Sequence, residues 1–387
     1  MPELDERAIH ALREQFPITR RWVFLNHAGV CPLSLPVAQA MREYLDDSLR
    51  NGPRWSEHWY QRLEQGRRTF ARLVGADPAE IAYVKNTTQG VLIAASSIPW
   101  QRGDNCLIFD QEFPANVYPW LALEASGVQV RMVRPVGGRI TPELIAEHCD
   151  ERTRCVALSF VQFANGFRAD MEAIGKFCRE RKIFFFADII QGAGVIPLDV
   201  RACCIDMASC DGHKWLLGPE GMGFFFCRRE ILDELRPANI GWYSVVEPEK
   251  FTEYDLTLRP DARRFEEGSL NIAGGFGLCA AVNMLARIGP EACFARLLAL
   301  TDEIIARARE RQFEILSPVA TTAERSGIVV FRVPGCDNAR LVRQLADKHR
   351  IQVAFRGGGV RVSPHIYNTV EEIACLFSAI DELLGGG

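Results

Sequence analysis

Residues 211–223 read Asp-Gly-His-Lys-Trp-Leu-Leu-Gly-Pro-Glu-Gly-Met-Gly and set Lys214 on a glycine-bounded turn between two apolar runs. A lysine held there is partly desolvated. Desolvation disfavours the ammonium and lowers its pKa, which is what a lysine needs to form a Schiff base. From this segment alone the alternative is a surface lysine on a hairpin. Asp188 directly follows the apolar run 183–187, so its carboxylate stands at the C-terminal end of a strand, the edge at which open α/β sheets bind ligands. A buried carboxylate there needs a cationic partner, and a protonated pyridine nitrogen would serve; a helix N-cap is the competing reading. The third feature is Asn86-Thr87-Thr88-Gln89-Gly90, which opens a helical pattern after the apolar run 81–84. Hydroxyls and free amides at a helix start make an anion site, although Thr-rich caps are common by themselves. Together, a phosphate cradle, a strand-end aspartate and a turn lysine match the three polar parts of pyridoxal phosphate: its phosphate, its ring nitrogen and its aldehyde.

The elements that must position these residues are legible as hydrophobic pattern. Runs at 106–109, 128–133, 155–160, 183–187, 207–210 and 223–227 predict strands, most without polar alternation, as expected when helices cover both faces of a mainly parallel sheet. Segments 115–125, 141–148 and 171–182 read as helices, with Thr141 and Pro142 as cap and first-turn residue. The stretch 240–264 loses this rhythm and is read as an irregular crossing. Beyond it, helices are expected at 277–288, 291–311 and 370–384 and strands at 328–332 and 360–363, with a frayed glycine tail at 385–387. The expected fold is α/β, with a large domain at 17–260 whose mainly parallel sheet is flanked by helices and a smaller α+β domain from 1–16 and 261–387. Lys plus Arg at 45 against Asp plus Glu at 49 leaves a net charge of −4, which gives no basic footprint for nucleic acid. No apolar run has the length of a membrane span and the acidic N-terminus has no apolar signal core, so a cytoplasmic protein without membrane partners is expected. The thirteen cysteines lack metal-ligand or disulfide spacing and are read as reduced, mostly buried thiols, with no metal site.

These motifs, in this order, resemble the class V aminotransferases among the fold-type I pyridoxal-phosphate enzymes, a group that includes cysteine desulfurases, selenocysteine lyases, kynureninases and isopenicillin N epimerase-like proteins. The resemblance runs from Leu25-Asn26-His27-Ala28-Gly29 to Arg361-Val362-Ser363-Pro364-His365-Ile366-Tyr367-Asn368. It implies that Lys214 is the Schiff-base lysine, that Asp188 partners the pyridine nitrogen and that Gln191 bonds the phenolic oxygen. It places Thr87, Thr88 and His213 at the phosphate, Phe113 and Gln162 among the cofactor contacts, and Asn26 and Trp242 near the substrate. Arg361 matches the arginine that clamps the substrate carboxylate, a bidentate task suited to guanidinium. Arg356 either assists it or is a solvated loop charge. Phe265-Glu266-Glu267-Gly268-Ser269-Leu270-Asn271 is similar to the family segment whose hydroxyl residue reaches the neighbouring subunit's phosphate, so Ser269 implies a homodimer with shared sites.

Departures from the family pattern bear on the reaction. Phe113 stands where cysteine desulfurases usually carry a ring-stacking histidine; it can stack but cannot move a proton. Asp211 stands where many of them have a phosphate-binding serine. The loop before the carboxylate-binding arginine has shrunk to Arg356-Gly357-Gly358-Gly359-Val360 without a cysteine, so desulfuration is disfavoured on sequence, and Cys336 and Cys375 are read as a loop residue and a core helix residue. Gly192-Ala193-Gly194 is followed by Pro197 in place of a third dinucleotide-loop glycine, which argues against a Rossmann cofactor. Gly241-Trp242 is similar to a pair that kynureninases use, or is simple packing. The expected activity is at the α-carbon of an L-amino acid, with transamination placed first, β-elimination second and epimerisation third. Side-chain selectivity is expected from Gln162, Asn165, Tyr243 and the loop around Arg54.

Overall fold

Seven strands build the main sheet: β1 Ile81–Val84, β2 Asn105–Phe109, β3 Gln129–Val133, β4 Thr153–Ser159, β5 Phe184–Asp188, β6 Met207–Asp211 and β7 Gly223–Cys227. In this computed structural model, which describes residues 4–385, their order is β1-β7-β6-β5-β4-β2-β3. Only β7 runs antiparallel to its neighbours. The lack of polar alternation has the expected cause, because every residue of β1, β2, β5, β6 and β7 is buried. Successive side chains enter opposite apolar layers: Phe185 and Ala187 join Phe70 and Phe224 on one face, while Phe184 and Phe186 join Val91 and Trp120 on the other. The glycines 386 and 387, read above as part of a frayed end, and residues 1–3 lie outside the described residues.

A second sheet contains β8 Glu314–Ile315, β9 Val329–Arg332, β10 Ala354–Arg356 and β11 Gly359–Val362, all antiparallel in the order β10-β11-β9-β8. Helices Pro290–Glu310, Asn338–His349 and Val370–Gly385 share its core, where the Phe313, Phe331 and Phe377 rings stack. Helix Ile272–Ile288, assigned on sequence to the small domain, packs instead on helices Leu35–Asn51 and Ser56–Leu73 and shares their core. The N-terminal segment is stitched to the C-terminal one: Arg13 forks onto Glu372 at 2.8 and 2.9 Å, Phe16 stacks on Tyr367, Val23–Phe24 pairs with Ile351–Gln352, and Asn26 bridges Ser363. That last pairing brings Asn26 beside Arg361.

The departures are local. The single helix expected at 115–125 is one α-turn, Tyr118–Leu121, between 3-10 turns Pro114–Asn116 and Ala122–Ser126; Pro119 removes a donor and restrains Tyr118 before it. The helix expected to reach 182 ends at Glu180, and Lys182 turns left-handed with φ 56°. Helix Ile272–Ile288 starts five residues before the expected position, capped by Asn271, which accepts the Gly274 N–H at 3.0 Å. All thirteen cysteines are free, and most are buried. Cys375 corrects its sequence reading: it lies on the closing helix but is exposed. Among the described residues, no single helix is long and apolar enough to cross a membrane.

Helix Thr87–Ser97 lies close on β6 because Gly90 has no side chain: a Cβ there would collide with Ser209 Oγ and Cβ. Gly90→Ala is expected to cost about 1–3 kcal/mol in urea unfolding through overpacking, and Ser209→Gly in the same chain should recover part of it. Additive losses in the double variant would refute this contact as the cause.

Candidate active site

Parallel pairing puts the ends of β5 and β6 side by side, with Asp188 in register with Ser209 and Asp211 closing β6. Lys214 follows on the turn into β7. Lys214 and Asp188 are both buried and line one cavity of about 270 Å³, together with Thr87, Thr88, Phe113, Gln191, Asp211, His213, Arg356 and Arg361. Ten of the fourteen residues nominated from sequence therefore converge. Larger surface hollows exist elsewhere, but none contains Lys214 or Asp188. Burial pulls the Lys214 amine down to about 8; Asp188 opposes this, Arg361 reinforces it and Asp211 opposes it again. Burial pushes the Asp188 carboxyl up to about 7, against the Ile190 N–H that donates to Oδ1 at 3.0 Å. Near neutral pH this pair offers a partly free amine and a carboxyl that readily shares a proton.

The turn is fastened from behind. Trp215 donates its indole N–H to Gln191 Oε1 at 2.7 Å, and its carbonyl lies 3.1 Å from His365 Nε2. Gln191 donates to the Ala28 carbonyl at 3.1 Å, which leaves one amide hydrogen for a ligand. At the helix start, Asn86 accepts the Gln89 N–H, while the Thr87 and Thr88 N–H groups have no partner within the helix. Thr87 Oγ1 accepts the Asp211 N–H at 3.0 Å, so its hydroxyl hydrogen remains to donate. Asp211 faces protein groups: Oδ1 accepts the Gly212 N–H at 2.6 Å, and Oδ2 lies 3.0 Å from His213 Nδ1. The latter contact has the distance of an ion pair without hydrogen-bond alignment. The Phe113 ring centroid is 5.2 Å from Lys214 Nζ and meets Phe163 edge-on at 5.3 Å.

Across the cavity, Arg361 is buried. Its Nη1 donates to the Phe163 carbonyl at 3.0 Å and its Nη2 to Asn26 Oδ1 at 3.1 Å, while Nε is buried without a partner. Burial pulls this guanidinium down to about 10, and Arg356 adds to the effect. Asn26 thus holds Arg361 without lining the cavity. Three nominated residues stand apart. Gln162 is buried and donates to Glu112 at 2.6 Å, Trp242 is half exposed against Tyr243, and Ser269 is exposed on its loop. Sequence reasoning passed over two residues. Phe163 supplies both a wall and a carbonyl. Glu112, buried behind Asp188, takes hydrogen bonds from Ser159 N, Ser159 Oγ, Asn116 and Gln162. The available signal for Glu112 was its place just past the β2 end.

These residues fit pyridoxal phosphate. An amine held near 8, a carboxyl raised for want of a cation, free helix-start N–H groups and an orphaned buried guanidinium N–H each lack the partner that this molecule and an amino acid carry. Capture of the cofactor by the apoprotein, trapped by borohydride and read by mass on Lys214, is expected to rise with pH and reach half-maximum at about 8. Asp188→Asn removes the anion that favours the ammonium and should move that midpoint down. A midpoint near the free lysine value of about 10.4 would overturn the assignment.

The sequence model of the family described as "Aminotransferase class-V" matches residues 23–376. A probable cysteine desulfurase of Methanothermobacter thermautotrophicus is 31% identical over 97% of this chain and 98% of its own length. Isopenicillin N epimerase of Streptomyces clavuligerus is 30% identical over 84% of this chain and 85% of its own length. Among solved structures, the apo cysteine desulfurase of Thermococcus onnurineus NA1 superposes with a TM-score of 0.87 at 25% identity, covering 98% of both chains. The cystine C-S lyase C-DES, solved with cysteine persulfide, gives 0.87 at 25% identity over 95% of this chain and 99% of its own. The sequence-based disfavouring of desulfuration gains no support, because cysteine desulfurases stand among both the relatives and the structures. With its matched sequence, its sheet order and its convergent lysine, aspartate and arginine, the chain belongs to the class V aminotransferase family of fold-type I pyridoxal-phosphate enzymes.

Proposed function

We propose that the chain acts at the α-carbon of an L-amino acid, as an aminotransferase, with Lys214 as the residue that holds the cofactor and moves the proton. The observation that carries this reading is one cavity shared by a buried amine at about 8, a raised Asp188 carboxyl and the orphaned Arg361 N–H. When bound, pyridoxal phosphate supplies an electron sink for the charge left at the α-carbon. Thr87, Thr88 and His213 would hold its phosphate, Asp188 its ring nitrogen, Gln191 its phenolic oxygen, and the Phe113 ring its face. Asp211 acts on the phosphate end through His213, whose ring it faces. Arg361, braced by Asn26 and the Phe163 carbonyl, takes the substrate carboxylate and so orients the bond to be broken. Lys214, with its amine lowered towards neutrality, takes the α-proton and returns it as a general acid.

The second reading is β-elimination. It is favoured by the structural likeness to a cystine C-S lyase. The same base serves both reactions. Our reading also includes a homodimer in the cytoplasm, with the loop 265–271 presenting Ser269 to the partner's phosphate site; the exposed position of Ser269 supports this.

A panel of L-amino acids separates the chemistries. Transamination should yield about one keto acid per enzyme and stop until a second keto acid is supplied; elimination should release ammonia and keto acid many times over without one. Lys214→Ala should lose at least about 10³-fold in turnover, as expected when the nucleophile and the base are one residue. Wild-type turnover in that variant would sink the reading.

A further inference from the structure

Arg361 accounts for one substrate carboxylate, yet a second guanidinium lines the same cavity. Arg356 ends β10 in register with Gly359, and Ala354 of the same strand pairs with Arg361. The connecting turn, Gly357-Gly358, has φ of 58° and 83°, a left-handed geometry that glycine adopts freely. A side chain on Gly357 would run into the Ala164 carbonyl, so the turn lies against the 163–165 backbone whose Phe163 carbonyl braces Arg361. One hairpin therefore positions both arginines.

Arg361 needs no help with the α-carboxylate. Its five N–H donors meet two protein acceptors, the Phe163 carbonyl and Asn26 Oδ1, which leaves donors for a bidentate carboxylate. Arg356 is exposed at the rim of the cavity, where it donates to the Phe355 carbonyl at 2.7 Å, and among the described residues no carboxylate lies within ion-pair distance of either guanidinium. Two neighbouring cations without an anion repel, and the pull of Arg356 on Arg361 reflects that repulsion. The wall beside them, Phe113, Phe163, Val30 and Ala115, is apolar. A substrate with one carboxylate satisfies one cation; a substrate with two satisfies both.

We propose that Arg356 is a specificity-determining residue that selects amino acids carrying a second negative charge on the side chain. This rests on the amino-acid reading above. The test uses the holoenzyme and reads binding from the change in cofactor absorbance, titrating L-aspartate against L-asparagine and L-glutamate against L-glutamine, pairs of equal shape that differ in charge. At least one acid should bind about tenfold or more tightly than its amide, the worth of a hydrogen-bonded charge. Arg356→Gln should bring that ratio near one, and Arg356→Lys should keep part of it. The proposal is overturned if acid and amide bind alike in the wild type, or if the ratio survives in Arg356→Gln. It is also overturned if that variant weakens both ligands equally, which would put Arg356 on the α-carboxylate, or loses the cofactor, which would put it on the phosphate. If no amino acid of any kind perturbs the cofactor, the functional reading fails as well; if amides perturb it and acids gain nothing, only this inference fails.

Discussion

Asp188, at a strand end, and Lys214, on the turn that follows the neighbouring strand, are taken out of water together, and neither meets enough protein to stay fully charged. Burying an ion costs several kcal/mol even after relaxation. Here the cost shows as a carboxyl lifted towards neutrality and an amine lowered towards it. Such a pair holds its place only if the backbone around it cannot yield. The parallel register fixes Asp188, while the Lys214 turn is pinned through Trp215 to Gln191 and His365 and through the His213 carbonyl to the Cys31 N–H. His27, Tyr367 and Ser363 form the next layer, a buried cluster that joins the N-terminal and C-terminal segments. The sheet supplies position and the termini supply closure, and both serve the same two side chains.

Behind Asp188 lies a second carboxylate. Ser159 is in register with Asp188, and both its N–H and its hydroxyl bond Glu112, which also takes the amides of Asn116 and Gln162. Burial raises Glu112, and its donors pull it back towards the ionised form. Its charge in turn raises Asp188. This network accounts for Gln162: its amide nitrogen is spent on Glu112 and its oxygen is left without a partner. A residue nominated for the cofactor thus acts two steps away, through Glu112 and its charge on Asp188.

What could be read from sequence follows from the range of the interaction that matters. Asp188 and Lys214 were legible because a strand end and a glycine-bounded turn are local patterns, and β7 appears at the expected 223–227. Glu112 was not, since its four donors come from 116, 159 and 162, and nothing local distinguishes a glutamate that will be buried from one that will be solvated. Asn26 was nominated for the substrate itself; its partner is Arg361, 335 residues away, met through a bridge between chain termini. The 115–125 segment failed for the opposite reason: its apolar content suggested a helix, and two prolines overrode it.

The loop 265–271 shows how burial transmits position to an exposed residue. Glu266 is buried and accepts from Arg67 Nη1 and from the Tyr83 N–H, both at 2.8 Å. Its neighbour Glu267 receives the Gln89 amide at 3.0 and 3.1 Å, and Gln89 Oε1 accepts the Lys85 N–H in turn. The loop is thereby tied to β1 and to the very helix start that presents Thr87 and Thr88. Removing one partner of a buried pair such as Arg67 and Glu266 costs about 3–5 kcal/mol, because the other charge is stranded, so the loop cannot drift without breaking these bonds. Ser269, two residues past Glu267, is therefore exposed and yet held in place.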